Sequence, residues 1–309
     1  MTTLRIGVMT TLRILRAVTL LAATTAGTAT AQNGMVVLQT DFGLKDGAVA
    51  AMKGVAMQVS PGLRLFDLTH EIPPFNIWEA GYRLHQTAQY WPRGTVFVSV
   101  VDPGVGSARK SVVLRTRRGQ YFVGPDNGQF TLIAEDHGID AVREIDETRN
   151  RLTGSAESYT FHGRDVYAYT AARLAAGVIR YADVGPLRDA RVVTIDYQKP
   201  AYHEGVVSGN IPILDVQYGH IWTNIDKTAF GKLRMHYGDS LHVIVSHAGS
   251  RIYEADVPFV TTFADVPAGK PLAYFNSLLN LAIGLNFESF AKTYLVSSGP
   301  DWSIDVRKK

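Results

Sequence analysis

The sequence predicts an α/β domain followed by an all-β domain. Three observations carry this. Strands and helices alternate through the first half. Residues 95–101 are a nearly unbroken apolar run, as in a strand buried on both faces. From Gly205 onward, short β-branched runs recur between Gly-, Asn-, Asp- and His-rich turns.

The elements follow in order. Residues 35–38 form a short apolar strand that ends in the polar turn Gln39-Thr40-Asp41-Phe42-Gly43. Residues 47–59 place Val49, Met52, Val55, Ala56 and Val59 on one helical face, and Ser60-Pro61-Gly62 stops the helix. A second strand spans 63–68, a second helix 77–91 ended by Pro92, and a third strand 95–101. This strand–helix–strand–helix–strand order implies a parallel sheet. Strands at 112–114 and 121–123 follow, joined by the short 116–120, then helices at 131–136 and 166–176. The texture changes near 197–202. Runs at 206–207, 211–214, 221–224, 241–245 and 257–262 then read as a small barrel or sandwich. The expected boundaries are a leader at 1–31, an α/β domain at 33–197 and an all-β domain at 203–309.

The leader has its own pattern. Arg5, Arg13 and Arg16 precede the apolar run 17–23, and a small-residue stretch ends at Ala29-Thr30-Ala31. That order is a secretory signal peptide cleaved near Ala31, and it predicts an exported, periplasmic or secreted protein. The apolar run is far short of the roughly 20 residues needed to span a bilayer, so no membrane span is expected in the mature chain. The formal charge is +3, and the leader carries three arginines and no acid, so the rest of the chain is neutral. With no basic stripe left, nucleic acid is not an expected partner. There are no cysteines, which excludes disulfides, thiolate catalysis and Cys-type zinc sites. No H-x-x-H or HExxH pair suggests a metal, and no cofactor is expected.

Several residues can carry chemistry, each with a plainer alternative. Asp41 directly follows a strand, where ligands of open α/β sheets sit. It either accepts hydrogen bonds from a ribose diol or simply makes the Asp-Phe-Gly turn. Asp102 and Arg109 flank the tight loop of VDPGVGSAR, as a reactive pair or as a staple across the loop. The loop matches neither GxxxxGK[ST] nor GxGxxG. Gly124-Pro125-Asp126-Asn127-Gly128 reads first as a turn. His162 in FHGRD titrates near neutrality, although a single His is more often structural. Tyr218 and Trp222 bracket a turn on which a flat base can stack, or they are core. Asp215 just before them is able to bind an amino group.

Taken in order, LQTDFGLKDGAVAAMKG, FDLTHEIPPFNIWEAGYRL, VFVSVVDPGVGSARKSV, YFVGPDNG, FHGRDVYAYTAARLAAG, WTNID and YFNS resemble the S-adenosyl-L-methionine (SAM) hydroxide adenosyltransferase family over about residues 35–300. Its members hydrolyse SAM and are related to enzymes that attack SAM with fluoride or chloride. The resemblance implies a Rossmann-like α/β domain, a C-terminal β-barrel, and a homotrimer with active sites between subunits. It implies attack on the ribose C5′ carbon of SAM, releasing adenosine and L-methionine. Asp102, Arg109 and His162 would handle the water. Asp41 would hold the ribose diol, with Phe75 near the sugar and Phe161 beside His162 in the substrate site. Asp215 and Ser277 would contact the methionine amino end. Tyr218, Trp222 and Phe275 would wall the adenine and sugar, with Asn286 at the adenine edge.

The halogenating relatives have Tyr where Asp102 stands, Ser where Gly163 stands, and an extra loop where this chain has the short 116–120. All three places follow the hydrolase pattern. His220, where relatives have Asn, and Leu278-Leu279 after the NS motif depart from it. Both bear on the methionine end. Two other readings share these residues: an exported binder of adenosine or SAM without turnover, and a halide-using adenosyltransferase.

Overall fold

The computed structural model describes residues 33–309; the expected leader lies outside the described residues. The first part runs β1 (Met35–Thr40), α1 (Ala48–Val59), β2 (Arg64–Thr69), α2 (Ile77–Ala88), β3 (Val96–Val100), β4 (Ser111–Thr116), β5 (Tyr121–Pro125), α3 (Thr131–His137), β6 (Ile139–Glu144), α4 (Glu147–Asn150), α5 (Tyr169–Ala175) and β7 (Leu187–Arg188). These strands make one seven-stranded sheet, ordered β2-β1-β3-β5-β4-β6-β7.

Only half of that sheet is parallel. β2, β1, β3 and β5 run parallel, whereas β4, β6 and β7 pair antiparallel. The all-parallel expectation fails where the connections shorten. The residues between β4 and β5 are too few for a crossover, so they close a hairpin, with Gly119 N–H donating to Thr116 O at 2.8 Å.

β1 and β3 are buried on both faces, as their apolar runs require. Val36 and Leu38 face a core with Met52 and Ala56 of α1 and with Ala171 and Leu174 of α5. Val37 and Phe97 face the other side, against Leu84 and Ala88 of α2 and Ile133 of α3. Helices therefore cover both faces. α2 starts where the Asn76 side chain accepts from Glu79 N–H at 2.9 Å. It ends at Ala88, earlier than the pattern suggested, and Trp91 instead packs edge-on to Phe66 and Phe97. The expected helix at 166–176 begins differently too. Residues Gly163–Ala168 form a π-helical turn that leads into α5.

The second part contains β8 (Ala201–His203), β9 (Val206–Asn210), β10 (Ile213–Leu214), β11 (Ile221–Asp226), α6 (Lys227–Gly231), β12 (Ser240–His247), β13 (Ser250–Pro258), β14 (Pro271–Phe275), β15 (Asn280–Leu285), α7 (Phe290–Tyr294) and β16 (Trp302–Lys308). They form two antiparallel sheets, β10-β11-β15-β14 and β13-β12-β16-β9-β8. One core, including Val207, Ile225, Val243, Ile283 and Ile304, lies between them. Of the run read as 257–262, only Val257 and Pro258 belong to β13, whose hairpin turns at Ala248 and Gly249, both at positive φ.

The stretch 189–200 has no regular structure but is held in place. Val193 N–H donates to Asp126 Oδ1 at 2.8 Å, Ile195 N–H to Thr131 Oγ1 at 3.0 Å, and Tyr197 OH to Glu135 Oε2 at 2.6 Å. Trp78 Nε1–H reaches Pro212 O at 2.9 Å. Trp78, Tyr82, Leu132 and Ile213 make a small apolar cluster joining the two parts. Among the described residues, no helix is long and apolar enough to cross a membrane.

One buried histidine gives the fold a pH dependence. His137 is 4% exposed, with Nδ1 at 3.0 Å from Gln120 Oε1. Burial first, then the charge of Arg118, lowers its pKa from 6.5 to about 4. The unfolded chain therefore takes up a proton that the folded one refuses. The contribution linked to His137 is present above pH 6.5 and is lost as pH falls from there toward 4. The Tm is expected to drop by several degrees between pH 7 and 4.5, and His137→Asn should flatten that slope. An unchanged slope in the variant would count against this account.

Candidate active site

The carboxyl ends of β1 and β3 lie side by side, since the two strands pair in register through Thr40 and Val100. Ligands of open α/β sheets collect at such ends. Asp41 leaves one end and Asp102 the other. Both line a cavity of about 270 Å³, together with Phe75, Phe161 and His162.

The Asp41 turn is fixed from behind. Thr40 Oγ1 lies 2.9 Å from His70 Nδ1, and His70 Nε2 lies 3.0 Å from Asp67 Oδ1. Asp41 Oδ2 accepts from Phe75 N–H at 3.0 Å. That bond sits on a residue with positive φ, 68°, whose ring is 71% exposed. Asp41 thus makes its turn and also lines the cavity.

Arg109 ties the next set together. Its Nε donates to Asp102 Oδ1 at 2.8 Å and its Nη2 to Asp102 Oδ2 at 2.5 Å, a bidentate pair. Its Nη1 donates to Ser111 Oγ at 2.8 Å, and Nη2 also lies 2.8 Å from His162 Nδ1. The two side chains of the pair are only 12% and 5% exposed. A solvent-exposed staple therefore does not describe them. GPDNG braces this loop rather than touching the cavity: Asn127 Nδ2 donates to Val101 O at 2.8 Å.

His162 is 4% exposed and immediately precedes the π-helical turn. Such turns widen the backbone and often mark functional sites. Gly163 lets the turn approach the sheet. A side chain there would meet the Phe42 ring and Val100 at 3.3 Å. Burial lowers the pKa of His162; Glu147 opposes this, and Arg109 and Arg151 add to it. Tyr167 OH donates to Asp102 Oδ2 at 3.4 Å, and burial holds its phenol protonated. Ser111, Glu147, Arg151 and Tyr167 were not singled out from the sequence. The only hint was the Glu147–Arg151 spacing of four on a short helix.

The remaining candidates gather elsewhere. Asp215, Tyr218, Trp222, Ser277 and Asn286 line a separate cavity of about 940 Å³ in the second part. It shares no lining residue with the first. His220 is there as well, 6% exposed, its Nδ1 at 2.9 Å from Tyr274 OH. Gly284 makes room for that ring, since a Cβ would lie 2.7 Å from it. Asn286 Nδ2 donates to Val266 O at 2.7 Å, which fixes its amide at the wall.

Phe275, expected to help wall the substrate, is placed differently from the other candidates. It lines neither cavity. Strand alternation turns Tyr274 toward His220 and Phe275 the other way, 5.3 Å from Phe230 and 5.5 Å from Phe259. Leu278 packs into the cluster around Trp78 that joins the two parts. Among the described residues, no group of three or more His, Cys, Asp and Glu is placed to hold a metal ion.

Comparison with known proteins supplies the family. The N-terminal domain model of the SAM hydroxide adenosyltransferases matches residues 36–185, and the C-terminal domain model matches 209–303. The chain belongs to the SAM hydroxide adenosyltransferase family. Within that family it is 37% identical to an (R)-S-adenosyl-L-methionine hydrolase of Methanocaldococcus jannaschii, over 69% of this chain and 74% of the relative. It is 34% identical to a hydrolase of the same name from Salinispora arenicola, over 84% and 93%. A fluorinase of Actinoplanes sp. is 30% identical over 86% and 96%. Among solved structures, an uncharacterized conserved protein from Thermotoga maritima superposes with a TM-score of 0.79 at 34% identity, covering 89% of this chain and all of that one. Relatives named as hydrolases and as a fluorinase are thus both similar to this chain over most of its length.

Proposed function

We propose that this SAM hydroxide adenosyltransferase hydrolyses SAM to adenosine and L-methionine. The observation that carries the proposal is the buried Asp102–Arg109–His162 set opening onto the same cavity as Asp41. A sulfonium departs as a neutral thioether, so no acid is needed on that side. The difficulty lies with the nucleophile, since bulk water has a pKa of about 15.7. Arg109 stabilises developing hydroxide charge, and the set pins the water in line with the C5′–S bond. The C5′–O bond forms, the C5′–S bond breaks with its electron pair going to sulfur, and the water gives up one proton. Asp102 is the favoured acceptor of that proton, because both ring nitrogens of His162 face guanidinium groups.

Water rather than halide is supported at three places. Asp102 occupies the position that halogenating relatives give to Tyr. Gly163 is packed too closely against Phe42 and Val100 for a larger residue to enter without displacing them. β4 and β5 are joined by a tight hairpin where the halogenating relatives carry an added loop.

We propose a Rossmann-like class for the first part and a small-barrel class for the second, a reading supported by the two sheets that enclose one core there. We further propose a homotrimer in which the larger cavity of one copy faces the smaller cavity of another. Each half carries part of what the reaction needs. The smaller holds the water-handling set and Asp41. The larger is lined by Asp215 and Glu288 with no Lys or Arg, which suits the ammonium end of SAM. Large apolar side chains at both rims support such a junction: Phe75 is 71% exposed and Phe287 91%. Export, proposed from the leader, would place the enzyme where SAM arrives from outside or where a related nucleoside is the substrate.

One preparation checks these readings. The chain expressed with its leader should be recovered from the periplasm starting near Gln32 and should sediment as a trimer. Incubated with SAM in ¹⁸O-labelled water, it should release methionine and adenosine labelled at the 5′-oxygen, unchanged by chloride. A folded trimer that binds SAM without turnover would instead support the binder. A 5′-chloro product would support the halide enzyme.

A further inference from the structure

His162 is held from two sides. Arg109 Nη2 lies 2.8 Å from Nδ1, and Arg151 Nη2 lies 2.9 Å from Nε2. Arg151 is itself clamped, its Nε and Nη2 donating to Glu147 Oε2 at 3.2 and 2.9 Å. Its guanidinium also covers the Tyr159 ring at 4.6 Å, and its side chain is 7% exposed. A neutral imidazole has one lone pair in the ring plane, and an imidazolium has none. Two guanidinium donors therefore meet one acceptor, and protonating the ring would leave both of them facing N–H groups.

We propose that Arg151, anchored by Glu147, is a positioning residue that holds His162 neutral and oriented, as a hydrogen-bond acceptor rather than a base. The charged and titratable groups around the ring agree with this. Asp102 and Arg109 come from the loop between β3 and β4, and Glu147 and Arg151 from α4 and its end. Tyr159 and Tyr167 pack edge-on at 6.1 and 6.3 Å. Two guanidinium groups balance two carboxylates, so a third positive charge on the ring would be unpaired. Arg151 lines neither cavity, so its contribution passes through His162 and not through substrate contact.

The kinetic part of this inference rests on the hydrolysis reading, whereas its structural part does not. The test uses the full mature protein as Arg151→Gln and Arg151→Lys. Imidazole ¹⁵N shifts of His162, assigned by their loss in His162→Gln, are followed against pH without substrate. SAM turnover is followed over the same range. In Arg151→Gln the His162 midpoint should rise by about one pH unit. The acid limb of the rate profile should rise with it, and kcat should fall about 10- to 100-fold with KM unchanged. Arg151→Lys keeps the charge but loses the planar fork, so the midpoint should stay and kcat should recover only in part.

A folded Arg151→Gln whose His162 titration matches that of the parent would overturn the proposal. If Arg151→Gln does not fold, Arg151→Lys decides, and parental kcat at every pH would overturn the proposal. A parent protein that turns over no SAM would sink the hydrolysis reading and leave the titration to judge Arg151.

Discussion

Asp102→Asn is expected to slow adenosine release from SAM by about 10²- to 10⁴-fold, the usual range for a group that moves a proton in the rate-limiting step. Asparagine keeps the shape and one acceptor oxygen. It loses the charge that faces Arg109 and cannot take a proton from water. Two of the bonds to Arg109, at 2.8 and 2.5 Å, are affected, while those from Arg109 to Ser111 and toward His162 remain. The stability cost should be about 1–3 kcal/mol, that of leaving a charged donor poorly partnered. The fold should therefore survive while turnover does not. Calorimetric SAM binding, Tm and single-turnover rates separate the two effects. A well-folded variant within tenfold of the parental rate would remove Asp102 from the chemistry and favour the binding reading of the site.

Asp41→Ala is expected to raise KM by at least about 10²-fold and to change kcat less. Two hydrogen bonds from a diol to a charged acceptor are worth about 1.5–3 kcal/mol each. The substitution also frees Phe75 N–H, which Asp41 Oδ2 now accepts at 3.0 Å, and so loosens an exposed ring at φ 68°. The cleaner measurement is therefore a cycle with a SAM analogue that lacks the ribose hydroxyls. The parent should discriminate strongly between SAM and the analogue, and Asp41→Ala should treat them nearly alike. Equal discrimination by both proteins would mean that Asp41 only shapes its turn.

Much of the candidate site is legible in the sequence. Asp41, Asp102 and His162 line one cavity, and Arg109 joins them by direct bonds. They were readable because each sits in a short motif at a strand end or before a helix, where the backbone pattern is local. Asp215, Tyr218, Trp222, Ser277 and Asn286 also share one cavity. Phe275 lines neither cavity, and the reason is simple. Neighbouring residues on a strand face opposite ways, and the motif does not say which one the cavity receives.

Local pattern by itself determined the alternating elements of the first half, the buried runs of β1 and β3, the β-rich second half and the order of the motifs. These depend on periodicity and turn chemistry, which nearest neighbours along the chain decide. Tertiary structure alone decided the rest. It turned half of the expected parallel sheet antiparallel, because a short connection cannot make a crossover. It opened a π-helical turn behind His162. It divided the candidate residues between two cavities with no wall in common. It also brought Arg151, clamped by Glu147, against the imidazole. A guanidinium 2.9 Å from a ring nitrogen is a matter of through-space electrostatics, which only the folded chain specifies.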